Sequence, residues 1–153
     1  MPKIIPLVFH PNPLLRQKAA EISLDHIPGY ASLASDMAET MIADKGIGLA
    51  APQIGESIRL IIVNTKSGPQ VMFNPRITKK SLRQEWGEEG CLSIPGVFGN
   101  VKRYKKVSCS FFDSNGQEQT AEAEGLLARV IQHEIDHLDG ILFIDTAKDI
   151  REE

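Results

Sequence analysis

Apolar residues recur at helical spacing in two segments of this chain, one near each end. In the first segment they follow one another every three or four positions: Tyr30, Leu33, Ala34, Met37 and Met41. We expect this helix to begin at Pro28, because proline is favoured in the first turn of a helix, and to end at Gly46. The second helix should begin near Gly125 and end near Gly140.

The second predicted helix has two adjoining faces of different character. One face is apolar and holds Leu127, Ile131, Ile135 and Leu138. The other carries Val130, His133, Glu134 and His137. Residues three and four positions apart are neighbours on a helix surface, so the apolar face should pack on the core while the polar groups lie together beside it.

Short runs of branched and aromatic residues between the two helices predict strands. Arg59–Val63 and Val71–Phe73 are bounded by glycine, proline and asparagine, and Lys106–Phe111 alternates with Val107, Cys109 and Phe111 on one side. Asp113–Gly116 then predicts a turn into a hairpin partner, Gln117–Ala123.

This order of elements favours an α+β fold in which mixed or antiparallel sheets pack around the C-terminal helix. The chain has no internal repeat, no low-complexity tract and no linker-like segment. Its 153 residues are enough to bury a substantial core. We therefore expect residues 1–153 to form a single domain.

The charge balance and the first residues of the chain argue against DNA or a membrane as a partner and against export. With 17 basic and 20 acidic residues the net charge is −3, so no broad cationic surface for DNA or a membrane is expected. The first residues lack the continuous apolar stretch of a signal peptide, and no apolar run is long enough to cross a bilayer. Two cysteines without an export signal predict reduced thiols and a cytoplasmic protein.

The strongest chemical signal is His133-Glu134-Ile135-Asp136-His137. Histidines at positions i and i+4 project from the same helix face and can bind one metal ion, and the adjacent glutamate is placed to accept a proton from metal-bound water. Without further residues, the alternative of a solvated charged helix face stays open.

A catalytic site of this kind needs a third protein ligand. In one class of metalloprotease a further histidine follows the glycine of the motif, but that position holds Phe143. In another class a downstream glutamate completes the site, and here only Glu152 and Glu153 at the end of the chain remain. The third ligand should therefore lie upstream.

Four upstream residues, two histidines and two cysteines, are candidates for the third ligand. His10 and His26 are in polar, proline-flanked loops and are expected at the surface, while Cys109 alternates within an apolar strand face and is expected in the core. Cys91 follows Gly90, which lets the backbone approach a ligand closely, although an isolated cysteine is more often a buried small hydrophobe.

A glycine-rich stretch, residues 46–53, is the remaining unusual segment. By itself it is typical of a helix end followed by a flexible loop. Gln53 also offers a neutral amide donor that could bind a developing oxyanion.

Three motifs together resemble peptide deformylase: GIGLAAPQ at 46–53, EGCLS at 89–93 and QHEIDHLDG at 132–140. The segment Pro11–Arg16 is similar to the opening segment of that family, so the resemblance covers nearly the whole chain. It implies a metal-dependent hydrolase that removes the N-formyl group from the formyl-methionine of newly synthesised polypeptides and releases formate.

The resemblance also implies roles for individual residues. Cys91, His133 and His137 would hold the metal, most commonly Fe2+ in this family, with Ni2+, Co2+ or Zn2+ also accepted. Metal-bound water would attack the formyl carbon with Glu134 as general base and then acid. Gln53 and the backbone N–H of Leu92 would stabilise the oxyanion.

The remaining implied roles concern the substrate and the support of the site. Gly48 and Gly90 would offer backbone groups to an extended peptide, and Ile47 and Val130 would line the slot for the methionine side chain. Arg103 would pair with Glu89 and brace the metal loop, against the alternative of an isolated surface charge.

The expected partners are N-formyl-methionyl peptides or nascent chains. Family members that dock on the ribosome carry a basic C-terminal helix, but here residues 143–153 form a short tail richer in acids. Any ribosome encounter would be transient and made without that helix. Two other functions stay open: an endopeptidase that shares the helix and Glu134, and a non-catalytic module in which the same ligands close a structural or peptide-binding site.

Overall fold

The computed structural model describes residues 2–153 and contains two α-helices and eight strands in that range. The helices are α1 (Ala31–Ala43) and α2 (Gly125–Leu138). The strands are β1 (Gly48–Ala50), β2 (Leu60–Thr65), β3 (Gly68–Lys80), β4 (Gln84–Cys91), β5 (Ile94–Tyr104), β6 (Lys106–Phe112), β7 (Glu118–Glu124) and β8 (Lys148–Glu152). Short 3-10 helices span Pro13–Arg16, Leu24–Tyr30, Ala51–Ile54 and Phe143–Asp145.

A five-stranded antiparallel sheet in the order β1-β2-β3-β6-β7 separates the two helices. Strand β2 is buried on both faces: Ile61 and Val63 join the core under α2, while Leu60 and Ile62 join the core under α1. Burying each such side chain contributes about 1.5–3 kcal/mol. The predicted α+β class is confirmed.

A second sheet, three-stranded and antiparallel in the order β4-β5-β8, covers a separate small core. That core contains Leu15, Ile94, Val101, Leu142 and Phe143. The sequence pattern did not predict this sheet, because β4 is rich in glycine and glutamate and β8 is exposed at every position. Phe143, at the position of the missing third histidine, lies in this core instead.

The predicted bounds of the first helix were wrong at both ends. Pro28 lies inside a 3-10 helix, and α1 begins only at Ala31. At the other end α1 stops at Ala43, because Lys45 adopts a left-handed conformation with φ of 58° before Gly46 is reached. The hairpin of β6 and β7 and the start of α2 at Gly125 agree with the sequence prediction.

Among residues 2–153, no helix is both long and apolar enough to span a membrane.

Candidate active site

The structure brings together three side chains that could hold a metal ion, and they come from two elements. Cys91 is the last residue of β4, and His133 and His137 lie one turn apart on α2. One donor atom from each lies within 4.8 Å of the others, and Cys91 Sγ is 3.3 Å from His137 Nε2. Ligands about 2.0–2.3 Å from one tetrahedral ion lie roughly 3.6 Å apart, so this group fits a single metal ion.

Glu89 determines which nitrogen of His133 can face that ion. The Nδ1 of His133 donates a hydrogen bond of 2.8 Å to Glu89 Oε1, which leaves Nε2 available for the metal. A carboxylate behind a ligating histidine fixes the orientation of the ring and increases its basicity. The donor set and its support therefore match the chemistry of a divalent metal site.

Arg103 is buried beside Glu89 and is not an isolated surface charge. Its Nε and Nη2 donate to the two oxygens of Glu89 at 2.9 and 3.0 Å, and its Nη1 donates to Asp136 at 2.5 Å. Burial alone would raise the pKa of Glu89, but the hydrogen bonds from His133 and Arg103 outweigh it and hold that pKa below its usual range. Glu89 is thus a stable anion at neutral pH.

The surroundings shift the pKa values of the two histidines in opposite directions. Burial lowers the pKa of His137, which favours the neutral form that binds metals. Burial also lowers the pKa of His133, but hydrogen bonding to Cys91 and Glu89 and the charge of Glu134 outweigh burial and raise that pKa to about 10. The neighbouring carboxylates favour any positive charge at His133, whether a proton or a metal ion.

Glu134 is buried at the bottom of the cleft, directly beside this centre. Its Oε2 lies 4.0 Å from His133 Nε2, and its Oε1 has no hydrogen-bond partner among residues 2–153. Burial raises the pKa of Glu134 to about 7, against the opposing charge of His133. A carboxyl group with such a pKa can take up and release a proton near neutral pH. The alternative of a solvated charged helix face does not agree with this burial.

Gln53 is held with its amide nitrogen toward the metal-binding group. Its Oε1 accepts a hydrogen bond from the backbone N–H of Ala50 at 2.9 Å, and its Nε2 donates to Ser93 Oγ at 3.1 Å. The same Nε2 is 3.5 Å from Cys91 Sγ. Since the oxygen is already engaged by a donor, the amide turns its nitrogen toward the site, and the N–H that does not bind Ser93 is the one that an oxyanion could accept.

A cleft of about 450 Å³ runs past these groups. It is lined by the predicted substrate-binding residues Ile47, Gly48, Gly90 and Val130, and by the predicted catalytic and metal-binding residues Gln53, Cys91, Leu92, His133 and Glu134. Ile47 is half exposed at the rim, and Val130 is buried in the wall. Because β1 and β4 are edge strands of the two sheets, the cleft lies between two edges with backbone groups available for pairing.

Sequence reasoning missed three residues that support the site. Ser93 holds Gln53, Asp136 holds Arg103, and Arg129 donates a 2.8 Å hydrogen bond from Nη1 to Glu89 Oε2. A signal for Arg129 was present, because it lies four residues before His133 and therefore on the same face of α2. Ser93 and Asp136 follow the proposed ligands closely, but spacing alone does not show what they contact. His10 and His26 are exposed and Cys109 is buried, as expected.

Comparison with known proteins gives a consistent result. The model of the family described as polypeptide deformylase matches residues 4–153. A peptide deformylase of Brucella suis is 45% identical over 92% of this chain and 82% of its own length. The crystal structure of a peptide deformylase from Thermotoga maritima is 36% identical, with a TM-score of 0.90 over 95% of this chain and 98% of that one.

A further solved structure is the class I type b peptide deformylase from Acinetobacter baumannii with bound Met-ala-ser. It is 34% identical, with a TM-score of 0.89 over 95% of this chain and 99% of that one. The agreement of sequence and architecture over nearly the full length shows that this chain belongs to the polypeptide deformylase family.

Proposed function

We propose that this chain hydrolyses the formamide bond of N-formyl-methionyl peptides and nascent chains, giving formate and a free amino terminus. The observation that carries the proposal is the buried Glu134 beside a Cys91, His133 and His137 donor group in a peptide-sized cleft. The bound Met-ala-ser of the A. baumannii relative supports a peptide ligand of this length.

Cys91, His133 and His137 would hold one divalent metal ion, and we propose Fe2+ as the native one. A thiolate with two imidazoles also suits Ni2+, Co2+ or Zn2+, so metal availability selects among them. When bound, such an ion acts as a Lewis acid, lowering the pKa of water and stabilising negative charge on a carbonyl oxygen.

Glu134 carries the proton through the reaction in this proposal. It removes a proton from the attacking water, and it then gives that proton to the departing amine as the carbon–nitrogen bond breaks. One carboxyl group can serve both steps because burial raises its pKa from the usual range of a carboxyl group toward neutrality. Its neighbour Val130 and the backbone of β1 exclude bulk water from one side.

Gln53 and the backbone N–H of Leu92 would donate to the oxygen that becomes negative when the formyl carbon is attacked. Losing one such donor typically costs about 3–4 kcal/mol of transition-state stabilisation. Ser93 and Ala50 hold the amide of Gln53 in the orientation required.

The extended substrate would pair with the two strand edges that line the cleft. Gly48 on β1 and Gly90 on β4 would offer their backbone groups, so the peptide is recognised through its main chain. Ile47 and Val130 would contact the methionine side chain, one at the rim and one in the wall. The cytoplasmic location and a transient ribosome encounter stay predictions.

The decisive experiment uses protein prepared without oxygen and loaded with Fe2+ or Ni2+. We expect formyl-Met-Ala-Ser to yield formate and free amine in equal amounts. Release of amino acids without formate would instead indicate an endopeptidase. No turnover with either metal would favour the non-catalytic module. Replacing Glu134 with alanine should keep the metal and remove most of the turnover, and full activity of that variant would exclude the acid–base role.

A further inference from the structure

Arg129 connects the metal-binding helix to the three-stranded sheet. It projects from α2 one turn before His133, and its side chain is only 14% exposed. Its Nη1 donates to Glu89 Oε2 and to the carbonyl oxygen of Val101, each at 2.8 Å, and its Nη2 donates to the carbonyl oxygen of Glu85 at 2.9 Å. A planar guanidinium in fixed contact with three acceptors holds one geometry.

The sheet leaves space for this guanidinium at Gly87. A Cβ atom at Gly87 would lie 2.8 Å from Arg129 Cζ and 2.9 Å from Nε and Nη2, closer than real Cβ contacts. Gly87 has no unusual backbone conformation that would by itself require glycine. The absence of a side chain at Gly87 therefore leaves room for the guanidinium of Arg129.

Arg129 completes the set of donors around Glu89. Oε1 accepts from His133 Nδ1 and Arg103 Nη2, while Oε2 accepts from Arg103 Nε and Arg129 Nη1. Each carboxylate oxygen thus has two donors, which uses its full capacity. Without Arg129, Oε2 would keep a single donor, and the carboxylate could rotate away from His133.

We propose that Arg129 is a positioning residue that fixes Glu89, and through it the Nε2 of His133, for metal binding. Arg129 also lines the cleft, and its hydrogen bonds to Glu85 and Glu89 join α2 to β4 at one wall of it. The effect on turnover rests on the proposed function, but the effect on metal affinity does not.

Arg129 can affect metal binding in two ways, through the geometry of its hydrogen bonds and through its positive charge, and the variants have to separate the two. A positive charge near the site disfavours a bound cation, so removing Arg129 altogether would mix a gain in metal affinity with a loss of orientation. Two substitutions keep the charge: Arg129→Lys loses the fork geometry, and Gly87→Ala keeps the arginine but displaces its guanidinium. The matched control is Arg59→Lys. Arg59 is 13% exposed and also binds the end of α2, through Leu138 and Asp139, but it does not contact Glu89.

The measurement is Co2+ affinity by competition with a chelator, together with the thiolate-to-cobalt absorption bands. Altering a supporting contact of this kind typically weakens metal binding about 10- to 100-fold, and we expect a loss of about 10-fold for Arg129→Lys and for Gly87→Ala. The absorption bands should shift in both variants, and Arg59→Lys should change neither quantity. In the double variant the two losses should not add, because a lysine can move away from the new Cβ.

Wild-type Co2+ affinity and spectra in both Arg129→Lys and Gly87→Ala, measured under conditions where each variant is folded, would overturn the proposal. An equal loss in Arg59→Lys would also overturn it, because general loosening of α2 would then explain the effect. Co2+ binding that weakens as expected in a protein that releases no formate would leave the positioning role intact and remove the proposed function.

Discussion

Gly48 gives the sharpest test of how closely β1 is packed against the carboxylate of Glu134, the proposed proton carrier. A Cβ atom at this position would lie 2.6 Å from Glu134 Oε2 and 2.8 Å from Val130 Cγ1. Ordinary contacts begin at 3.4 Å, so in Gly48→Ala the carboxylate must move by about 3.4 − 2.6 = 0.8 Å. The backbone itself accepts alanine, because Gly48 pairs with Val63 in regular antiparallel geometry.

This displacement sets the expected loss of activity. A misplacement of about 1 Å can reduce a rate by about 100-fold, which corresponds to about 2.7 kcal/mol of transition-state stabilisation. We therefore expect kcat/KM for formyl-Met-Ala-Ser to fall about 100-fold in Gly48→Ala. Most of the loss should be in kcat, because the proton carrier is displaced. Metal content should be unchanged, because the atoms nearest to a Cβ at Gly48 belong to Glu134 and Val130 and not to the three ligands.

Formate release by the metal-loaded protein is the assay, with metal content measured in the same preparation. Gly29→Ala is the control, since a Cβ atom there would meet nothing within 4 Å. Activity of Gly48→Ala within twofold of wild type would refute the reasoning, because Glu134 could then move by this distance without consequence. A large loss in Gly29→Ala would show that the assay responds to glycine replacement in general.

Three further outcomes are expected. Burial raises the pKa of Glu134 to about 7, and a nearby cation can only lower that pKa, so kcat/KM should fall as the pH decreases, with an acid limb at or below about pH 7. An acid limb clearly above pH 7 would contradict the role of Glu134 as the base. Glu89→Gln should lower the free energy of unfolding in urea by about 3–5 kcal/mol, because the partly buried Arg129 loses its carboxylate partner and the buried Arg103 keeps only Asp136, whereas the same change at the exposed Glu88 should cost less than about 1 kcal/mol; equal effects would contradict the buried network. Iodoacetamide should modify metal-free protein at Cys91 and leave Cys109 unmodified, because burial raises the pKa of the Cys109 thiol to about 11; peptide mass mapping measures both. Early modification of Cys109 would show that its strand opens readily.

Local sequence was sufficient for the elements that bury an apolar face in a regular pattern. The two-sided burial of β2 and the apolar face of α2 both follow from runs of branched residues and from helical spacing. The sequence was insufficient for β4 and β8, because glycine and charged residues there form strands only when paired with β5. Strand propensity is a property of one segment taken alone, whereas β4 and β8 form strands because β5 lies between them and pairs with both.

For the site, the sequence determined which chemical groups are present and which two of them share a helix turn. His133 and His137 must project from one face of any helix they occupy, and Glu134 must lie beside them. The motifs around Gln53 and Cys91 added the remaining candidates through their resemblance to one family.

Only the tertiary structure decided how those groups are held. It placed Cys91 Sγ 3.3 Å from His137 Nε2 across 46 residues of chain, and it turned Glu89 toward both His133 and two arginines. It also buried Glu134, which moves its pKa to the range of a proton carrier. The physical reason is that spacing along a helix is fixed by local geometry, whereas burial and contacts between elements depend on how two sheets and a helix pack together.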